Sequence, residues 1–384
     1  MLRALAVWFV TTGAVLPLLY YLVAAFCAWR FFRPQAELDR NFSPPVSILK
    51  PVCGLDRAAY ANFARLCRLD YPEYEILFGV SDSNDPVIPL IEKLIQDFPQ
   101  RSIRLLVGSL YRGSNDKVRK LCRLVDEARH DILVIADSDV RAGSDYLRAV
   151  VAPFQNHSVG AVSCVYQMKV GKRLGHEMEA IGLSSDFLPS VIVARQFEGV
   201  KFALGATMAV RRDCLAEIGG FPAIADCLSD DFELGCRIAA KGHRVELIPY
   251  TVWTLPPPEG MLDSIKHQLR WAISVRNSRP WGHLGRILTQ GLPWSVAASI
   301  VYRSWAAVGC FLGAYLLIRL MMAWVVGVRG LQDSLLLKKW WLVPFWDAFA
   351  FFTWAASFAK RRIHWRGADF YVRKGRLIPV ITED

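Results

Sequence analysis

The apolar run Ile132-Leu133-Val134-Ile135-Ala136 ends in Asp137-Ser138-Asp139. Two carboxylates therefore follow directly on a stretch of strand-forming residues. An uninterrupted apolar run of this length reads as a strand buried on both faces. Open α/β sheets bind ligands beyond the carboxyl ends of such strands. Two hard oxygen anions a dipeptide apart suit a divalent cation, and such a cation suits a diphosphate. The same residues equally suit a strand that runs into an Asx-type turn.

Other polar clusters lie at comparable places. Asp82 and Asp85 sit in Ser81-Asp82-Ser83-Asn84-Asp85-Pro86 after a second apolar run. There they can accept from a ring N–H or ribose hydroxyl, or cap the helix that Pro86 introduces. Asn115-Asp116-Lys117 follows Gly113-Ser114 and opens a helix. Its N–H groups and Lys117 can hold an anion, or it is simply a capped helix. Ser229-Asp230-Asp231-Phe232-Glu233-Leu234 begins another helix, predicted to end near Lys241-Gly242-His243. Acidic residues favour a helix start electrostatically, and a carboxylate there can also serve as general base toward a hydroxyl. His267-Gln268-Leu269-Arg270-Trp271 lies on an amphipathic stretch. Arg270 and Trp271 suit a diphosphate clamp with a stacking ring, or an interfacial anchor.

The elements that must position these groups follow from periodicity. Val46 to Lys50, Glu75 to Val80, Ile103 to Val107 and Ile132 to Ala136 read as strands. Ile88, Ile91, Leu94 and Ile95 share one helical face, and Lys117 to Ala128 forms a further helix. Strands alternating with helices predict a mostly parallel, doubly wound α/β sheet. Gly205-Ala206-Thr207-Met208 suits a close backbone approach, because small residues allow it.

Apolar segments flank that domain. No charge appears between Arg3 and Arg30, long enough to cross a bilayer and too long for a cleaved signal. Leu288 to Val328 is interrupted by Arg303 and Arg319, and Trp340 to Ala359 carries only Asp347. These predict two or three carboxyl-terminal spans, with the arginines near headgroups or facing other helices. The boundaries read as 1–43 for anchor and stalk, 44–286 for the α/β domain and 287–384 for the second helical region and basic tail. Arg30, Arg33 and Arg40 follow the first span; Lys360, Arg361, Arg362, Arg366, Arg373, Lys374 and Arg376 follow the last. The positive-inside tendency then predicts a multi-pass protein whose α/β domain and carboxyl tail face the cytoplasm. The net charge of +11 reads as attraction to an anionic bilayer and not to nucleic acid, for which no motif is present. The nine cysteines form no metal-ligand pairs and read as reduced structural thiols.

Val46-Ser47-Ile48-Leu49-Lys50-Pro51-Val52-Cys53-Gly54-Leu55-Asp56 and Asp70-Tyr71-Pro72-Glu73-Tyr74-Glu75 closely resemble the opening of ceramide glucosyltransferases. Asp82 to Pro86, Asn115 with Lys117, Asp137-Ser138-Asp139, Asp230-Asp231 and Arg270-Trp271 follow in that family's order. Ile363-His364-Trp365-Arg366-Gly367, with Tyr371 and Gly375, also looks like theirs. The resemblance covers nearly the whole chain. It implies an inverting, metal-dependent glycosyltransferase of the A-type fold, Rossmann-like, between amino- and carboxyl-terminal transmembrane helices. By the same likeness a UDP-sugar is the donor, with glucose first, and the hydroxyl of ceramide the acceptor. A hopanoid acceptor or an N-acetylglucosamine donor would share every motif. Asp82 is implied to contact the nucleotide, with Asp85 close by and Lys117 on the donor. Asp137 and Asp139 are implied to hold Mg²⁺ or Mn²⁺, and Asp231 to be the base. Asp230 replaces a common Glu, and His267 stands where the family has Gln or Arg ahead of Arg270 and Trp271. A receptor that binds nucleotide sugars without chemistry would have no use for Asp231. The reading requires Asp137, Asp231 and Arg270 to surround one pocket open toward lipid.

Overall fold

The computed structural model describes residues 1–33, 42–56, 58–108, 111–256, 260–365 and 368–380. Arg40, Arg366 and Gly367, named above for their charge or motif, lie outside the described residues. The chain forms two compact units. One comprises Gln35–Lys169, Glu198–Pro258 and Trp365–Asp384; the other comprises Met1–Pro34, Val170–Phe197 and Glu259–His364.

The first unit is built on a seven-stranded sheet: β1 (Val46–Pro51), β2 (Tyr74–Val80), β3 (Ser102–Val107), β4 (Ile132–Ala136), β5 (Val159–Met168), β6 (Thr207–Arg211) and β7 (Arg244–Thr254). Their order is β3-β2-β1-β4-β6-β5-β7. The pairs β1/β2, β1/β4, β2/β3 and β5/β7 are parallel. β6 alone runs against its neighbours β4 and β5. The expected mostly parallel sheet is therefore present, with one reversed strand in its middle. Strands β1, β2 and β4 are buried at every position, which is why they read as mostly apolar stretches without alternation, although Ser47, Lys50 and Glu75 are buried among them. The helix Asp116–Glu127 covers one face and buries Val118, Leu121 and Leu124 against Leu49, Leu77 and Leu133.

Strand direction decides where the polar groups gather. The parallel strands β1, β2 and β4 deliver Lys50, Ser81 and Asp137 to one edge. Because β6 is reversed, its beginning reaches that same edge, with Thr207 paired to Ala136. Gly205 and Ala206 thus arrive beside Asp137, whose N–H donates to the Ala206 carbonyl at 3.4 Å.

The second unit is helical. Among the described residues, three helical stretches are long and apolar enough to cross a membrane: Arg3–Phe31, Trp305–Gly330 and Ser334–Ala359. Gly291–Tyr302 is apolar but shorter. Arg303, exposed and left-handed at φ 52°, separates it from the helix Trp305–Ala323. Arg319 is buried and answers the expectation for an intramembrane arginine: it pairs bidentately with Asp347, Nη2 to Oδ1 at 2.6 Å and Nε to Oδ2 at 2.8 Å. The Tyr315 hydroxyl donates to Asp347 Oδ2 at 2.7 Å. The first helix is an integral part of this unit: Val10 and Ala14 pack with Ala298, and its Tyr21 hydroxyl accepts from the Gly291 N–H at 2.9 Å.

Candidate active site

Lys117 is the centre of the site. It is buried, and its Nζ lies 2.7 Å from Asp137 Oδ1 and 3.1 Å from Asp230 Oδ2. One cation thus ties the end of β4 to the start of the helix Asp230–Ala240. Asn115 caps the lysine's own helix, its side-chain oxygen accepting from the Val118 N–H at 3.3 Å, so the capped-helix reading holds. Asp137 keeps 35% of its side chain exposed, leaving carboxylate surface for a ligand.

Asp231, next along, stands against the backbone of Gly205. Its Oδ1 accepts from the Phe232 N–H at 2.8 Å, and its carbonyl accepts from the Ala203 N–H at 3.3 Å. Gly205 explains the small residues before β6, since a Cβ there would lie 3.0 Å from Asp231 Oδ2. Burial and then the neighbouring Asp230 push the Asp231 carboxyl up to about 6, opposed by Lys117. A carboxylate so placed is partly protonated near neutrality and fit for proton transfer.

Lys50 and Asp56 complete the edge, and sequence reasoning singled out neither. Lys50 is fully buried in β1 and donates to the Asp137 carbonyl at 2.5 Å. Burial lowers its ammonium, which Asp139, Asp137 and Asp56 oppose. Burial raises the Asp139 carboxyl, and Asp137 and Asp56 raise it further. The available signal was a lysine inside a strand otherwise apolar and closed by proline.

Asp82 is exposed and accepts from the Asn84 N–H at 2.9 Å. Asp85 is buried, with both oxygens on the Gly54 N–H (3.1 and 2.9 Å) and Oδ1 also on the Val87 N–H at 2.9 Å. It ties the loop after β1 to the loop after β2. His267, Arg270 and Trp271 lie on the helix Met261–Ser278, in the other unit. His267 Nδ1 faces buried Glu179 at 3.3 Å, and the Trp271 ring lies 5.2 Å from His267 and 5.8 Å from Phe187. The structure thus brings Lys117, Asp137, Asp139, Asp230 and Asp231 to one sheet edge, with Asp82 and Asp85 on the loop after β2.

The profile of glycosyl transferase family 21 matches residues 9–378. The chain belongs to that family. Among its relatives, ceramide glucosyltransferase 3 of Caenorhabditis elegans is 22% identical over 204 residues, 52% of this chain and 44% of that protein. The ceramide glucosyltransferase of Gibberella zeae is 30% identical over 143 residues, 35% of this chain and 27% of that protein. The chain spans half or less of the length of the curated relatives it matches. The likeness to ceramide glucosyltransferases expected from the motifs is therefore present in family membership. A mannosyltransferase of Pyrobaculum calidifontis, solved with GDP-Man and Mn²⁺, aligns with a TM-score of 0.57 at 20% identity. That alignment covers 87% of this chain and all of the other, and it establishes the glycosyltransferase fold.

Proposed function

We propose that this family 21 protein transfers a hexose, glucose, from a UDP-sugar to a hydroxyl of a membrane lipid, ceramide, with inversion. The observation that carries the reading is the Lys117 bridge, which sets the strand-end carboxylate Asp137 beside the Asp230-Asp231 pair on one sheet edge. Asp231 takes the proton from the lipid hydroxyl, whose oxygen attacks the anomeric carbon on the face opposite the departing UDP. Lys117 holds Asp137 and Asp230 together before donor arrives, with Asp231 next to Asp230 on the helix start. Asp82 serves the nucleotide, and Asp85 holds that loop in place. The family motif assigns Arg270 and Trp271 to the departing diphosphate, with His267 in the position that opens the motif.

The residues present suit a divalent cation, Mg²⁺ or Mn²⁺. Asp139, half-buried, is crowded by Asp137 and Asp56, and that repulsion is what a bound cation relieves. Among the described residues no set of three His, Cys, Asp or Glu side chains is gathered to chelate one. Asp137 and Asp139 would hold it, with diphosphate and water supplying the remaining oxygens, as is usual for Mg²⁺. When bound, such a cation neutralises charge on the leaving diphosphate.

The apolar helices supply the lipid side of the reaction, and the basic residues flanking them support a cytoplasmic placement of the sheet. The test is a mass-spectrometric survey of glycolipids in a host that lacks them, with and without the expressed chain. A ceramide hexoside supports the proposal; a glycosylated hopanoid changes the acceptor; no new glycolipid overturns it.

A further inference from the structure

We propose that the carboxyl-terminal hairpin is a positioning strap for Asp231, with Gly375 as the residue that fastens it; this rests on the reading of Asp231 as the base. Ala368–Arg373 and Arg376–Pro379 pair antiparallel, with Arg376 opposite Arg373. The two-residue turn is Lys374-Gly375, at φ 49° and 76°. Positive φ at both positions is the turn whose twist matches a tight hairpin. The hairpin buries Phe370, Val372 and Leu377 on one side and exposes Tyr371 and Ile378 on the other.

Its partner is the loop that leads into the proposed base. The Leu228 N–H donates to the Gly375 carbonyl at 2.9 Å, and the Leu377 N–H donates to the Asp226 carbonyl at 2.8 Å. Cys227 bridges Arg376 as an antiparallel partner. From the opposite side, the Ser114 N–H donates to Asp226 Oδ1 at 2.9 Å and the Asn115 N–H to the Ala225 carbonyl at 2.8 Å. The Asn115 side-chain amide donates to the Cys227 carbonyl at 2.9 Å. Residues 225–228 are thus clasped between the helix start that carries Lys117 and the hairpin. The helix with Asp230 and Asp231 begins two residues later. The hydrogen bonds to Asp226 and Leu228 tie the turn end of the hairpin to the loop, so each fixes the other. Release of the hairpin frees the Leu228 N–H and the Asp226 carbonyl, and with them the lead into Asp231.

Gly375 allows a selective test on the full chain in nanodiscs. A Cβ at Gly375 meets nothing within 4 Å, so substitution there acts through backbone conformation alone. Gly375→Val, whose branched side chain resists left-handed φ, should lower kcat about tenfold or more. UDP affinity should stay within about twofold, because no group placed on the donor is touched. Hydrogen exchange at the Leu228 amide should accelerate. Gly375→Asn, which tolerates that conformation, should behave as wild type. Arg376→Cys added to Gly375→Val and oxidised onto Cys227 should restore kcat, since antiparallel partners lie within disulfide reach. Cys53 and Cys310, the exposed cysteines, are replaced by serine in that background. Unchanged kcat and Leu228 exchange in Gly375→Val would overturn the strap. So would a joint loss of UDP binding and kcat that the disulfide fails to reverse. If Asp231→Asn leaves transfer intact, the fault lies in the assignment of the base, while Leu228 exchange still decides whether Gly375 fastens the hairpin.

Discussion

Replacing Gly205 by alanine should separate activity from stability. The added Cβ would lie 3.0 Å from Asp231 Oδ2 and 3.4 Å from its Cγ. Relief of that contact needs a shift of about 0.3–0.5 Å. The carboxylate is not free to swing, because the Phe232 N–H holds its Oδ1 at 2.8 Å and the Ala203 N–H holds its carbonyl at 3.3 Å. A misplacement of about 1 Å in a reacting group costs roughly a hundredfold, so this shift should lower kcat about four- to tenfold. Gly205 does not occupy left-handed φ, so alanine strains no backbone. It restricts the unfolded chain instead, which stabilises by about 0.4–1 kcal/mol before the contact is counted. The expected result is an unchanged or higher Tm together with a lower kcat and unchanged UDP affinity. Initial rates at saturating donor and acceptor, UDP titration and thermal unfolding read the three quantities. A wild-type kcat in Gly205→Ala would refute the reasoning, as would kcat and Tm falling together.

Three further outcomes follow from the same geometry. Asp231 accepts a proton only when ionised, and its carboxyl is pushed up to about 6, so kcat should fall as pH drops through that value. Lys117→Met removes the cation that opposes the shift and should move the midpoint upward by about one pH unit; a pH–rate profile with an unmoved midpoint contradicts this. Chelation of divalent cations should lower transfer by at least about a hundredfold, with recovery on adding Mn²⁺ or Mg²⁺; full activity in chelator would remove the cation from the account. In the helical unit, the Arg319 and Asp347 side chains are 3% and 12% exposed, so screening by water is slight. Arg319→Met should cost about 3–5 kcal/mol of stability, and adding Asp347→Leu should recover most of it. Thermal unfolding in detergent checks this, and equal Tm for single and double variants would contradict it.

Much of the sheet was legible because parallel strands inside a covered sheet write themselves as short, mostly apolar runs. The expected strands at Val46, Glu75, Ile103 and Ile132 match β1 to β4 within a residue or two. The reversal of β6 was not legible: Thr207–Arg211 is short, and strand direction is set by its partners and leaves no periodicity of its own. Lys50 escaped notice because a lone lysine in a strand usually snorkels to solvent, whereas here its ammonium ends on the Asp137 carbonyl. Lys117 was singled out as an anion holder, but the anions it meets are the protein's own Asp137 and Asp230. That pairing joins residues 113 positions apart in sequence, and no local pattern reports it. Arg319 was expected near headgroups or facing another helix, and the only acid in the third apolar segment, Asp347, proved to be its partner. Nothing in residues 170–197 signals that they pack with the apolar helices instead of the sheet.

The most direct measurement is transfer by Asp231→Asn, set beside UDP affinity in the same protein. An amide of the same shape keeps the contacts to Phe232 and Gly205 but cannot take a proton. Sugar transfer to lipid should fall by about a hundred- to ten-thousandfold while UDP binds as in the wild type. Transfer at the wild-type rate would show that the proton goes elsewhere, and the site described here would lose its chemistry.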